Sequence, residues 1–359
     1  MKSNIAFILP DFSVGGAEQM VALLSSNLNF DVYNVYIIVL RKKLNNHIED
    51  SISKNIKIIY LNKDYGFSLK TMFLVNKYLR KIKPIIIHSH LQSFAYLSIF
   101  LIFHKTKCIH TIHNKPINES KGFRRKLLYF FIKTKKIIPV GISIQISKEI
   151  IDVYKCKNVE TIYNPVKLTN DKQYEKNRHT PFRIISIGRL CEQKNQEQLI
   201  LIMKELVKKY DVNLHIVGDG EKKEYLQNLI YKNKLEKVVF LNGYSNNVKM
   251  NLKEADLFLL TSIYEGLPMT LLESLSCGVP AICSNVGGIK DVLKDENFLV
   301  NNPNNTQEYV KKIERIFLLS KKEYSELSKS CILLVEPYDI SVIAKKYELL
   351  YEKYGRRNK

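Results

Sequence analysis

Short apolar runs recur along the chain, separated by longer stretches whose apolar residues return at helical spacing. "NIAFILP" reads as a buried strand, followed by a Gly-Gly turn and a helix from about Ala17 to Asn29. "VYNVYIIVL", "PIIIHSH", "KCIHTIHN" and "KKIIPVGIS" continue the strand series, and "NVETIYNPV" closes it. "KLTNDKQYEKNRHTP" is polar and aperiodic, as a linker would be. The alternation then restarts with "FRIISIGRL", the amphipathic helix "NQEQLILIMKELVKKY", and the strands "NLHIVGDG", "KVVFLNGY", "ADLFLLTS" and "GVPAICSN". The tail "EPYDISVIAKKYELLYEKYGRRNK" reads as a final helix.

Strand–helix alternation of this kind predicts α/β architecture, with parallel sheets covered by helices on both faces. Two such runs predict two doubly wound, Rossmann-like domains facing an interdomain cleft. The expected boundaries are a first domain over residues 1–168, a linker over 169–181 and a second domain over 182–336. Residues 337–359 then form a helix packing back toward the first domain. Ligands of such sheets bind beyond the carboxyl ends of the strands, so strand-end residues are the candidates to weigh.

Composition narrows the class. With 359 residues, 45% apolar and 25% charged, the chain is long enough for two globular cores. The six cysteines are scattered without a C-x-x-C pair, which argues against a zinc site or disulfide framework and suits a reducing compartment. The longest apolar run, Leu97 to Phe103, falls far short of a bilayer span, and no signal peptide is evident. A cytoplasmic protein without a transmembrane helix is expected. The net charge of +21 is uneven: residues 1–170 hold 26 Lys and Arg against 10 Asp and Glu, and the remainder 30 against 25. The first half should therefore seek something anionic, whether nucleic acid, an acidic membrane surface or a phosphorylated substrate.

Five stretches carry candidate chemistry. In "IGRLCEQKN" a strand ends at Gly188, and Arg189 and Lys194 follow in one loop. Two cations there suit a diphosphate, because Arg forks onto phosphate oxygens and Lys adds a point charge. The bland alternative is a solvated basic loop. In "SIYEGLPMTLLESLSCGVP", Glu265 lies in a loop after a strand, Pro268 suits a helix start, and Glu273 lies inside that helix. Backbone N–H groups there can bind an anion, and the carboxylates can accept from hydroxyls. A dipole-serving carboxylate accounts for Glu265 only in part, and Glu273 in a mostly apolar helix needs a partner.

"DFSVGGAEQM" places Gly15 and Gly16 between a strand and a helix, an anion-friendly turn or simply a tight one; it is not G-x-G-x-x-G. "CIHTIHNKP" puts His113 at a strand end, where it could donate to substrate oxygens or be structural. Residues 121–138, "KGFRRKLLYFFIKTKKII", hold seven basic and no acidic residues among interleaved aromatics. A basic amphipathic helix on an anionic bilayer has this make-up, as does a core helix with a solvated face.

Glu265 and Glu273 stand in E-x7-E spacing, with "GRLCEQK" upstream and a Gly-Gly turn after the first strand. "YNPV", "VGDG", "NGY" and "NVGGIKDVL" complete the set. Together these segments resemble the retaining glycosyltransferases of family four, group 1, which have the GT-B fold. The resemblance implies that Arg189 and Lys194 hold the donor diphosphate and stabilise its growing charge. It implies Glu265 on the donor sugar, with Gly188 and the run Gly266, Leu267, Pro268, Met269 and Thr270 near sugar and phosphate. Glu273 would bind the ribose, Gly218, Gly243 and Tyr244 would lie near the nucleobase, Gly15 and Gly16 would border the acceptor and phosphate, and His113 would approach the sugar. It implies retention at the anomeric carbon, no cofactor and no essential metal. The sequence has no Asp-x-Asp motif at a strand end.

The expected function is transfer of a sugar, from a UDP-sugar above all, to a growing capsule or lipopolysaccharide glycan, lipid-linked or free. The expected partners are donor, glycan acceptor and an anionic membrane surface through 121–138. That makes the protein peripheral at the inner face of the cell membrane. Two alternatives stand beside it: a GT-B nucleotide-sugar epimerase, and a basic nucleic-acid-binding protein. The second lacks any RNP-like, zinc-finger or helix-turn-helix signature, so nucleic acid is not an expected partner.

Overall fold

The structure, a computed structural model, describes residues 2–157, 159–168 and 178–355. Most of the expected 169–181 linker, residues 169–177, lies outside them. The chain divides into two compact units, Met1–Pro165 with Ile340–Lys359, and Val166–Asp339.

The first unit is built on strands β1 (Ser3–Leu9), β2 (Tyr33–Val39), β3 (Lys57–Tyr60), β4 (Ile86–His90), β5 (Lys107–Ile112), β6 (Ile137–Gly141) and β7 (Glu160–Thr161). They form one parallel sheet in the order β3-β2-β1-β4-β5-β6-β7. The second unit holds β8 (Phe182–Ile187), β9 (Val212–Val217), β10 (Val239–Gly243), β11 (Leu257–Leu260), β12 (Ala281–Ser284) and β13 (Leu299–Val300). Their order is β10-β9-β8-β11-β12-β13, again parallel. Central strands are buried almost throughout, as Ile5–Leu9 and Leu257–Leu260 show. That is why they read as continuous apolar runs rather than alternating ones.

In each sheet the winding direction reverses at one place, between β1 and β4 and between β8 and β11. At such a reversal the loops leaving the two neighbouring strands diverge to opposite faces and leave a crevice at their carboxyl ends.

The last helix, Ile340–Gly355, completes the core of the first unit. Tyr351 Oη lies 2.7 Å from His88 Nδ1, Tyr347 Oη lies 3.1 Å from Thr111 Oγ1, and Glu348 accepts from the Asn29 amide at 2.7 Å. Two aromatic side chains from the end of the sequence thus meet polar groups that β4 and β5 bury in the sheet.

Some local expectations change. The strands β3 and β13 were not expected; both are short, and β3 is a half-buried edge strand with no long apolar run to announce it. Residues 121–138 are not one helix. The helix spans Gly122–Lys133, and Ile137 and Ile138 open β6, because their β-branched side chains fill the sheet. Pro268 precedes its helix as the N-cap of Met269–Ser276 instead of occupying the first turn.

Candidate functional site

The chemistry of the second unit gathers at its reversal point. After β8 the chain passes Gly188, Arg189 and a single 3-10 turn, Glu192–Lys194, before the helix Gln196–Leu206. After β11 it passes Thr261 to Pro268 before the helix Met269–Ser276. These two loops are stitched together. Ile263 N donates to Gln193 O at 2.8 Å, Gln193 Nε2 to Tyr264 O at 2.9 Å, and Thr261 Oγ1 to Asn195 O at 2.9 Å.

Across the stitch, Lys194 Nζ reaches Glu265 Oε1 at 2.6 Å. Ser262 Oγ donates to the same oxygen at 2.7 Å, and Ser284 Oγ donates to Ser262 O at 2.6 Å. The pair is well shielded, with 18% of the Lys194 side chain and 7% of the Glu265 side chain exposed. A nearly buried carboxylate needs such partners, since desolvation is costly unless charge and hydrogen bonds replace water.

Glycines let the surrounding backbones close in. A Cβ on Gly218 (φ +148°) would stand 2.0 Å from Gly188 O, and one on Gly287 (φ +61°) would stand 2.1 Å from Glu265 O. Gly288 N donates to Gly266 O at 2.6 Å. The loops after β9 and β12 therefore press against the Gly188 and Glu265 loops at distances no side chain permits.

The predicted residues fall as follows. Lys194 and Glu265 touch, with Gly188 beside the Lys194 side chain and Gly218 against Gly188. Gly218 N donates to Gly243 O at 2.8 Å, and Tyr244, next along, is exposed. Gly266, Leu267, Pro268 and Met269 are buried, and Thr270 and Glu273 are half-buried along the helix. Arg189 is exposed; a hydrogen bond to Cys191 is the main cause that raises its pKa and secures its charge. Gly15, Gly16 and His113 belong to the other unit.

In the first unit the strand ends hold a different set. His90 Nδ1 lies 3.0 Å from His113 Nε2. Glu119 Oε2 accepts from the backbone N–H of His113 at 2.7 Å and of Asn114 at 3.1 Å, and its Oε1 lies 3.9 Å from His110 Nε2. Burial dominates the titration of all of them. It pushes His113 down to about 3 and His110 to about 4, holds His90 well below the usual histidine range, and lifts Glu119 to about 8. Beside the Gly15-Gly16 turn, burial first and the Asp11 charge after it raise Glu18 to about 7, with Ser13 Oγ donating to Glu18 Oε1 at 3.2 Å.

Sequence reasoning overlooked Ser262, Ser284, Gln193, Gly287, Glu18 and Glu119. Ser262 follows a strand already recognised, and Gly287 lies in "NVGGIKDVL", so both were within reach. Glu119 follows His113 by six positions in an aperiodic stretch and carries no local signal. Among the described residues no group of three or more His, Cys, Asp or Glu is arranged to hold a metal ion, and no helix is long and apolar enough to cross a membrane.

Two family descriptions match adjoining parts of the chain: "Glycosyltransferase Family 4" over residues 14–170 and "Glycosyl transferases group 1" over residues 168–332. An uncharacterised glycosyltransferase of Methanocaldococcus jannaschii is 34% identical over 243 residues; the match spans 60% of this chain and 59% of that protein's length. The Escherichia coli O-antigen biosynthesis glycosyltransferase WbnH is 28% identical over 320 residues, 88% of this chain and 90% of that one. A mutant of S. aureus TarM, crystallised with Fondaparinux, alpha-GlcNAc-glycerol and UDP, superposes with a TM-score of 0.82 at 16% identity, covering 97% of this chain and 99% of that one. That likeness bears on the fold, and it agrees with the paired Rossmann-like sheets. The matched family regions and the two-sheet architecture place this chain among the group 1 glycosyltransferases of GT-B fold.

Proposed function

We propose that the protein transfers a sugar from a nucleotide-sugar donor, a UDP-sugar, to a growing surface glycan, with retention at the anomeric carbon. One observation carries the reading: the ion pair of Lys194 and Glu265, at 2.6 Å, joins the loops beyond the two strands where the sheet reverses. Cation and carboxylate there match the two needs of a sugar diphosphate, a charge on the phosphates and an acceptor for hydroxyls.

In the reaction an acceptor hydroxyl oxygen bonds to the anomeric carbon while the bond from that carbon to the diphosphate oxygen breaks. The bonding pair leaves with the nucleoside diphosphate, and the hydroxyl proton passes to a diphosphate oxygen. Arg189 and Lys194 meet the negative charge that grows on the leaving group, a preorganised effect worth about 3–4 kcal/mol per well-placed donor. These two cations stand in for a metal, and the reaction needs none. Glu265 Oε1 is engaged by Lys194 and Ser262, which suits orienting sugar hydroxyls rather than attacking carbon. Glu273 takes the ribose, Gly218, Gly243 and Tyr244 border the nucleobase, and Gly266 to Thr270 line the sugar. Gly15, Gly16 and His113 serve the acceptor side.

The UDP of the TarM complex supports the choice of donor, and the O-antigen role named for WbnH supports a surface glycan as acceptor. The helix Gly122–Lys133 exposes Phe123, Tyr129 and Phe130 beside Arg125 and Lys126, which supports contact with an anionic membrane and a lipid-linked acceptor. The protein would work at the cytoplasmic face.

Titration with UDP and a series of UDP-sugars tests the donor. A ligand of the native state raises the melting temperature in proportion to the logarithm of its excess over Kd. Turnover of that donor should then fall in Arg189→Ala and Glu273→Ala, and unchanged turnover in both would overturn the assignment.

A further inference from the structure

The segments that follow β3, β4 and β5 in the first unit enclose a cavity of about 780 Å³. That size holds an organic ligand comfortably. Phe67, Met72, Ala95, Phe123 and Leu127 supply an apolar lining. Phe67 stacks on Tyr96 with ring centroids 5.4 Å apart, which fixes one wall. Glu119 also borders the cavity, but burial lifts its carboxyl to about 8, so at neutral pH it presents an uncharged group.

The rim has the opposite character. Arg124 donates to Gln92 Oε1 across the opening, and Lys121 stands beside it. Lys63 Nζ sits 5.9 Å from the centre of the Tyr96 ring, and Arg41 lies 5.0 Å from the centre of the Tyr65 ring. Burial chiefly, then the charges of Arg41 and Arg124, lower the Lys63 pKa, so these three cations share one neighbourhood. Asp11 pairs with Arg41 at 3.0 Å, and Asp64 offsets part of the Lys63 charge. The excess remains positive, within a sequence half that carries 26 basic against 10 acidic residues.

An apolar cavity under a cationic rim calls for an amphiphile with an anionic head. A bare phosphate would satisfy the cations and leave the lining wet. A bilayer surface would touch the exposed rim and leave the cavity unfilled. We propose that this cavity seats the hydrocarbon chain of a lipid phosphate or diphosphate, whose head group lies on Lys63, Lys121 and Arg124. Resting on the acceptor reading above, the bound lipid is the carrier of the glycan that receives the sugar.

Isothermal titration of the whole protein with farnesyl diphosphate, kept below its micellar concentration, tests this against inorganic diphosphate, farnesol and, in parallel, UDP. Farnesyl diphosphate should bind saturably and about tenfold or more tighter than either fragment, because chain and head are each recognised. Arg124→Glu and Leu127→Asp should each weaken it about tenfold or more and leave UDP binding unchanged. Should Leu127→Asp lose its fold, Phe123→Asp at a 77% exposed position replaces it. Equal binding of inorganic diphosphate or of farnesol, or variants that bind farnesyl diphosphate as tightly as the parent, would overturn the assignment. Capture by phosphatidylglycerol vesicles without saturable farnesyl diphosphate binding would assign the rim to the membrane surface and overturn it too. If UDP binds and farnesyl diphosphate does not, the lipid site falls and the donor site stands. The reverse result removes the donor assignment alone.

Discussion

The two units share a winding order but treat charge at their strand ends in opposite ways. In the second unit the loops beyond β8 and β11 bring a lysine and a glutamate together as an ion pair, with Ser262 as an added donor. In the first, the ends of β4 and β5 gather His90, His110 and His113 with Glu119, and burial pushes every one of them toward its neutral form. The second unit therefore has a polarised site at its sheet reversal, whereas in the first unit the strand ends beside the reversal, those of β4 and β5, hold a cluster of neutral groups. The side chains that fill the crevice decide its electrostatics, and the topology decides only where the crevice is.

The widest gap between the two should appear in catalysis. Arg189→Ala or Lys194→Ala should lower kcat by about 10²–10³, the loss typical of one preorganised charge at a developing anion. His113→Ala, removing a neutral group, should cost about tenfold less than that in kcat/KM. Equal losses at both positions would dissolve the contrast.

Next in size is the backbone closure of the second unit. Gly218→Ala places a Cβ 2.0 Å from Gly188 O, at a φ of +148° that side chains rarely adopt. Relief requires moving the loop that carries Arg189 and Lys194, at about 1–3 kcal/mol. UDP affinity should fall by about tenfold or more, with a lower melting temperature. Gly66→Ala meets nothing within 4 Å although its φ is +82°, so it should cost only the backbone strain and leave UDP affinity intact.

A pH titration separates the units next. Glu119, raised from 4.5 to about 8, is neutral in the native state over a range where the unfolded chain is ionised. Its contribution is full below pH 4.5 and is lost as pH rises through about 8. Glu119→Gln should therefore flatten the fall in stability across that window. The histidines act on the other side. His110 and His113, depressed from 6.5 to about 4 and about 3, lose their contribution as pH falls below 6.5. Glu119→Gln should leave that acid limb in place, and denaturant melts from pH 4 to 9 would register both limbs. The smallest effect is expected from Ser262→Ala, which removes one hydrogen bond to Glu265 and should cost about 1 kcal/mol in donor binding, read as a Kd for UDP-sugar.

Much of this architecture was legible in the chain. Buried parallel strands must be apolar along their length, so β1, β8 and β11 announced themselves, and the residues after them were natural candidates for a site. The clamp residues in "GRLCEQK" and the E-x7-E pair stood out because charged groups follow apolar runs there. Of the four edge strands, β7 and β10 fall in segments read as strands, whereas β3 and β13, short and without a long apolar run, were not anticipated. The basic stretch 121–138 misled through composition: its last residues are β-branched and enter β6, while only Gly122–Lys133 is helical.

Local order along the chain thus determined which segments are strands, which loops follow them, and that the fold is two wound sheets. It could not say that Lys194 and Glu265, 71 positions apart, would meet at 2.6 Å, nor that Gly287 would close against Glu265. It gave no hint that Glu119 would hold the His113 turn while burial kept its carboxyl neutral. Those outcomes depend on desolvation and on contacts between segments distant in sequence, quantities that exist only once the chain has folded.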